Sequence, residues 1–318
     1  MPSTKAKHSK PPARKRRRST RATKSPALNW NAARVHENIV RIDVNLEPRN
    51  EFWALLRGDA HHDNPHSDHD KERADLDEAV RRGAAIIDVG DFYCAMGGRF
   101  DGRRSRAHST RPEHAMADDY LDSLVKHGSA WLAPYSRNIA VMLEGNHETA
   151  IRKNLETDLT QRTIERINAT TGSRIHFGSY GCYIHLKFRR WHKKITRWMH
   201  AFHGSGGGGL MSFDSLRVRR QGSYHPNADI IVCGHVHERW ALETSRQIVT
   251  AQNGKYGMRL ETQHHIRVGC YKDEYGHGQG GWHVERGAPP KPIGAMWMRV
   301  SMLHLAAGVN LKMEFIPT

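Results

Sequence analysis

An α/β fold is predicted by three features of the chain. Apolar runs of four to six residues alternate with stretches of helical periodicity. Run after run ends at a glycine beside an Asp, Asn or His. Neither a linker nor an internal repeat interrupts residues 59–237, so one catalytic domain is expected rather than two.

The elements follow in order. Phe52–Leu56 is a short strand run that ends at Gly58-Asp59, and residues 70–82 read as a helix with Leu76, Ala79 and Val80 on one face. Ala84–Val89 is a second buried strand run and ends at Gly90-Asp91. Residues 113–132 read as helix. Ile139–Leu143 is a third strand run, leading into Glu144-Gly145-Asn146-His147. Residues 155–168 suit an amphipathic helix through Leu155, Leu159 and Ile167. Met199–Phe202 leads into His203-Gly204, and Ile230–Cys233 into Gly234-His235. Met296–Met302 and Leu311–Ile316 read as closing strands. In an open α/β sheet, ligands gather at the carboxyl ends of strands, so the polar residues after these runs should converge on one edge.

Composition narrows the function. The chain has 318 residues, 38% of them hydrophobic, which is low yet sufficient for a core. No run approaches the eighteen or so apolar residues of a membrane span, and the N-terminus lacks the apolar core of a secretory signal. An intracellular, cytoplasmic protein with no membrane partner is expected. Cys94, Cys182, Cys233 and Cys270 form no C-x-x-C pair, which argues against a disulfide framework and a zinc ribbon. The net charge is +16, and residues 1–26 carry ten Lys or Arg with no acidic residue. That segment reads as a disordered basic arm preceding a domain over 27–318. A solvated tail and an electrostatic grip on nucleic acid explain the arm equally well. Charge alone gives no oligomeric state.

Five segments carry metal chemistry: Gly58-Asp59-Ala60-His61, Gly90-Asp91, Gly145-Asn146-His147-Glu148, His203-Gly204 and Gly234-His235-Val236-His237. On an extended strand end, Asp59 and His61 would point the same way, as would His235 and His237, so each pair could face one centre. His192 and His200 are alternatives to His203, which is favoured because it ends an apolar run. Asp, Asn and His form a mixed oxygen and nitrogen donor set, suited to manganese, iron or zinc. Each segment alone is a weak signal. Their order, each at a strand end, is the strong one.

This set resembles the calcineurin-like metallophosphoesterase superfamily over roughly residues 50–240. The resemblance implies a sandwich of two mixed β-sheets flanked by helices. It implies two divalent ions, with manganese expected and iron or zinc as alternatives. Asp59, His61, Asp91 and His237 would hold one ion, and Asp91, Asn146, His203 and His235 the other, with Asp91 bridging. His147 matches the family's catalytic histidine. Residues 255–295, with Tyr271, Tyr275 and Trp282 among Lys and His, read as a loop-rich extension. They resemble the extension of phosphoesterases encoded by bacteriophages and prophages, which implies a bacterial or phage-infected cell.

One departure matters. Where Ser/Thr phosphatases of the superfamily continue Gly-Asp with x-x-Asp-Arg-Gly, this chain has Phe92-Tyr93-Cys94-Ala95. The Asp that would orient the catalytic histidine is Cys94, and the Arg is Ala95. Arg99, Arg103 and Arg104 are candidate phosphate-binding residues, or equally a solvated basic loop. The leading expectation is hydrolysis of phosphodiesters in nucleic acid, DNA favoured. A phosphatase or small-nucleotide phosphodiesterase, and a nucleic-acid-binding protein with a vestigial site, are the alternatives.

Overall fold

The computed structural model describes residues 26–95, 110–115, 117–207, 215–252, 254–276, 280–305 and 308–318. Thirteen strands are defined among them: β1 (Trp30–His36), β2 (Ile39–Asn45), β3 (Phe52–Arg57), β4 (Ala85–Asp88), β5 (Ile139–Met142), β6 (His176–Phe177), β7 (Gly181–Arg190), β8 (Lys193–Phe202), β9 (Ile230–Cys233), β10 (Arg239–Gln252), β11 (Lys255–Val268), β12 (Met296–Leu305) and β13 (Gly308–Pro317). The helices are α1 (His69–Arg82), α2 (Pro112–Ala115), α3 (Tyr120–Leu132), α4 (Asn146–Leu155), α5 (Leu159–Thr171), α6 (Ser215–Tyr224) and α7 (Trp282–Glu285).

The strands form two mixed sheets, as expected. A seven-stranded sheet runs β1-β2-β7-β8-β9-β11-β10, and a six-stranded sheet runs β13-β12-β3-β4-β5-β6. β3, β4 and β5 pair in parallel and are buried almost throughout, which is why they read as continuous apolar runs. β2 and β7 alternate buried and half-buried residues, because only one face of the larger sheet meets the core there. Between the sheets, Val40, Ile42, Ile184 and Leu186 pack against Leu56, Ile87, Val141 and Met298. On the outer face of the smaller sheet, Leu55, Ile86 and Met142 pack against Leu76 of α1, Leu124 of α3 and Ile164 of α5.

Three readings need correction. The helix expected over 113–132 is two helices, the second opening with Asp119 at its N-cap position. The helix expected over 155–168 straddles a real break. Glu156 takes a left-handed conformation (φ 53°) and ends α4, and the Asp158 side chain accepts from Gln161 N to start α5. The stretch 255–295 begins not as a loop but as β11, paired with β10 along its whole length. Its Tyr256, Met258 and Leu260 do alternate, and all three are exposed, so no buried face marked it as a strand.

The strand ends of the smaller sheet are tied together by a buried ion network. Arg57, last in β3, is 1% exposed and lies 2.8 Å from Glu72 of α1 and 3.0 Å from Asp88, last in β4. Burial alone would raise the Glu72 carboxyl, but Arg57 and His62 pull it down to about 2. Arg57→Ala would leave both carboxylates buried without their cation. It should lower the unfolding free energy by about 3–5 kcal/mol in a denaturant titration. Because the Glu72 pKa is depressed on folding, its contribution is full above its ordinary value of 4.5 and is lost as pH falls towards about 2. The difference between wild type and Glu72→Gln should therefore shrink over that window.

Candidate metal centre

The five segments do converge, at the carboxyl ends of β3, β4, β5, β8 and β9. They do so as turns rather than as extended strand ends. Asp59 (φ 51°), His61 (46°), Asp91 (52°), His235 (76°) and His237 (59°) all lie in the left-handed region. Such residues cost on the order of 1–3 kcal/mol each and persist only where the surroundings over-determine them.

Two donor clusters result. In one, Asp59, His61 and His237 come together, with His61 Nε2 3.1 Å from His237 Nε2 and Asp59 Oδ1 3.5 Å from His237 Nε2. In the other, Asp91 Oδ2 is 3.2 Å from His203 Nε2, and Asn146 Oδ1 lies 2.8 Å from His235 Nδ1 and 3.1 Å from His203 Nε2. His235 and His237 thus belong to different clusters, the division that the family resemblance implied, whereas alternation on an extended strand end would have faced both to one centre. The turned backbone splits them. Each cluster draws donors from both sheets: Asp59, His61, Asp91 and Asn146 follow strands of the smaller sheet, and His203, His235 and His237 strands of the larger. Of the alternatives to His203, His200 stacks on His225 and packs against Tyr183 instead, and His192 sits in the β7–β8 turn.

The carboxylates are held by backbone. Asp59 accepts from the His235 backbone N–H through both oxygens (3.1 and 2.8 Å), and Asp91 Oδ1 accepts from His147 N (3.0 Å). The glycines of the motifs make room for them. A Cβ on Gly145 would stand 2.0 Å from Asp91 Oδ1, and one on Gly234 would stand 2.4 Å from Asp59 Oδ2. Burial pushes Asp59 up to about 7, His203 working against it. For Asp91 burial is outweighed, and His203 with His147 holds it well below the usual range. His203 rises to about 9 despite burial, because Asp91 faces it. Burial, then their histidine neighbours, keeps His61 and His237 neutral by depressing both well below 6.5.

This donor set fits divalent cations. Two neutral imidazoles facing each other through Nε2 offer two lone pairs to one point. Nitrogens bound to an ion at 2.0–2.1 Å lie about 3.0–3.4 Å apart, which the observed 3.1 Å matches. Among the described residues their Nδ1 atoms are buried without a hydrogen-bond partner, so the rings are held through Nε2, where a shared ion would fix both. His203 differs, donating from Nδ1 to Val89 O at 2.9 Å. Burial raises the Cys94 thiol to about 12, so it stays protonated and offers no thiolate.

His147 stands at the edge of the pair. Its Nδ1 donates to the Cys94 carbonyl at 2.6 Å, which leaves Nε2 facing the centre, 3.9 Å from Asp91 Oδ2. The absent aspartate at position 94 is thus replaced by main chain. That main chain is held by Asp63, which accepts from Cys94 N (2.6 Å) and Ala95 N (3.0 Å). Glu148, the last residue of the Gly-Asn-His-Glu segment, accepts from Gly145 N and Tyr93 N, both at 2.8 Å, and so clamps two site loops.

Sequence reading missed Asp63, Glu148 and Arg57 as supports. Only Glu148 lay inside a recognised motif. It also missed the contribution of the C-terminal segment. Lys272 lies near enough to disfavour charge on His61 and His237, pairs with Glu274 at 2.9 Å, and is 9% exposed. His283 packs against the His237 ring and binds Glu274. Arg99, Arg103 and Arg104 lie outside the described residues, as do residues 1–25 of the arm.

No known family profile matches the chain, and no curated protein does. Seventeen chains of solved structures match. Vacuolar protein sorting 29 from Cryptosporidium parvum is 14% identical, with 84% of this chain and 99% of that one covered and a TM-score of 0.32. A conserved uncharacterized protein from Streptococcus pneumoniae, described as a predicted phosphoesterase, is 11% identical, with 84% and 90% covered and a TM-score of 0.30. GAP50, the anchor in the inner membrane complex of Plasmodium, is 11% identical, with 84% of each chain covered and a TM-score of 0.36. Likenesses this weak decide neither family nor activity, and none bears on a phage origin.

The orientation of His147 gives a test within the chain. For the hydrolysis proposed below, Cys94→Ala should leave activity within about threefold, because the carbonyl and not the thiol holds the ring. Asp63→Ala frees that carbonyl and should lower kcat at least tenfold with metal content unchanged.

Proposed function

We propose that the chain is a dinuclear-metal phosphoesterase that hydrolyses phosphodiesters. The observation that carries this reading is the pair of donor clusters, Asp59–His61–His237 and Asp91–His203–His235 with Asn146 against the second, drawn from five strand ends, with five of these seven residues in the left-handed region. Asp59, His61, Asp91 and His237 would hold one ion, and Asp91, Asn146, His203 and His235 the second. The absence of a thiolate favours manganese, iron or zinc bound by oxygen and nitrogen. Bound there, two such ions supply Lewis-acid stabilisation of the phosphoryl group and of the attacking and leaving oxygens.

The chain's own residues do the rest. His147, its Nδ1 proton committed to the Cys94 carbonyl, holds at Nε2 the proton that the leaving alkoxide needs. Lys272, paired with Glu274 at 2.9 Å, helps keep His61 and His237 neutral and so available as ligands. Asp91 and Asp59, bonded to backbone N–H groups, keep their oxygens in place throughout. The Asp and Arg of the protein-phosphatase pattern are replaced by Cys94 and Ala95, which removes a ready clamp for a monoester dianion and favours a diester. The ten cations of residues 1–26 support nucleic acid, DNA foremost, as that diester.

Two variants test the chemistry. Asp91→Ala should abolish activity and lower the metal content found by elemental analysis. His147→Ala should keep the metal and lose about 10²–10⁴ in kcat on a diester with a poor leaving group, and much less on a nitrophenyl diester. Full activity of wild type after exhaustive chelation would refute the metal reading.

Substrate class is read from kcat/KM on matched nitrophenyl monoester and diester, followed by single- and double-stranded DNA with Mn²⁺. A diester preference of at least tenfold and degradation or nicking of DNA are expected. A tenfold monoester preference with intact DNA would make the enzyme a phosphatase.

A further inference from the structure

The β10–β11 hairpin extends beyond the body of its sheet. β11 pairs with β9 only through His264–Arg267, and from Gln263 back to Lys255 its one strand partner is β10. A two-stranded ribbon with no third strand is marginal in water unless one of its faces is covered. The faces of this ribbon differ. Directly opposed residues of an antiparallel pair share a face. The pairs Gln247–Leu260, Val249–Met258 and Ala251–Tyr256 therefore line one side. That side carries no charge. The opposite side carries Arg246, Lys255, Arg259 and Glu261.

The uncharged side is open. Val249 and Met258 are each 71% exposed, Leu260 74% and Tyr256 85%. Together these side chains present roughly 600 Å², the top of the range a monomer usually leaves in one patch. That approaches the ~800 Å² each partner contributes to a standard interface.

We propose that this face of the ribbon is the contact between two copies of the chain, packed about a two-fold axis. A two-fold contact uses the same patch on both copies and so must be complementary to itself. At a net charge of +16, ten of it on residues 1–26, two copies repel at long range. The uncharged ribbon face is one place where they meet without opposing like charges. An acidic partner would be drawn to Lys and Arg, and a nucleic acid needs cations against its phosphates. This face offers neither. If fully buried on both copies, the two ribbon faces would approach the ~1,200 Å² lower bound of a stable interface.

Sedimentation velocity on the full chain, from about 1 to 100 μM, reads the outcome without reference to catalysis. Wild type should be a dimer, dissociating on dilution. The double variant Met258→Glu, Leu260→Glu should be a monomer, with hydrolytic turnover per chain and far-UV circular dichroism unchanged. Arg259→Glu, on the charged side, should remain dimeric. If the glutamates disturb the ribbon, the serine pair at 258 and 260 should still weaken the dimer at least tenfold in Kd. A wild type that is monomeric throughout, a dimer that survives both double variants, or equal dissociation by Arg259→Glu would overturn the proposal.

Discussion

Two carboxylates, Asp59 and Asp91, must be kept close together in a site that excludes water, and much of the architecture follows from that constraint. Left to burial, both would take up protons and lose their value as ligands. The fold answers in layers. Backbone N–H groups from His235 and His147 bind the oxygens directly. Histidines complete the shell around them. Behind them Arg57 binds Glu72 and Asp88 at the very strand ends that carry the two aspartates, so the positions of β3 and β4 are fixed relative to each other. The Asp88 carboxylate also accepts from Gly90 N, which turns the chain just before Asp91.

The ligand-bearing turns are costly in themselves. Five non-glycine residues of the site lie in the left-handed region, on the order of 1–3 kcal/mol apiece, and the surrounding packed sheets and buried polar contacts hold them there. Asp63 and Glu148 distribute that support, each accepting from two backbone N–H groups on loops that touch the centre. Neither side chain forms part of the donor clusters. Their role is to hold loops that are too irregular to be held by a sheet.

Much of this is legible in the sequence, and the reason is local. Buried parallel strands announce themselves as apolar runs, and the glycines after them are needed because a carboxylate from another segment occupies the space of their missing Cβ, as at Gly145 and Gly234. The order of the segments therefore locates the site. The partition of His235 and His237 between clusters does not follow from strand periodicity, which assumes an extended backbone that these residues do not have; only the family resemblance separated them. Arg57 and Asp63 are invisible for another reason: their partners lie 15 or more positions away, and nothing in their immediate neighbours marks them. Lys272 pairs with nearby Glu274, but the rings it acts on, His61 and His237, are distant in sequence. The β10–β11 ribbon escapes because burial is what makes alternation readable as strand, and both its faces are largely in water.

Each donor cluster takes side chains from both sheets, so the centre acts as a gauge of how the sandwich is docked. A slide of one sheet over the other by a single residue, about 3.3 Å, would carry His203, His235 and His237 away from Asp59 and Asp91 while leaving every strand and helix intact. A compact state with its secondary structure formed but its inner faces not yet interlocked would have no centre at all. Any metal affinity of this centre would thus be a measure of tertiary packing, a property that far-ultraviolet spectra of the same molecule do not see.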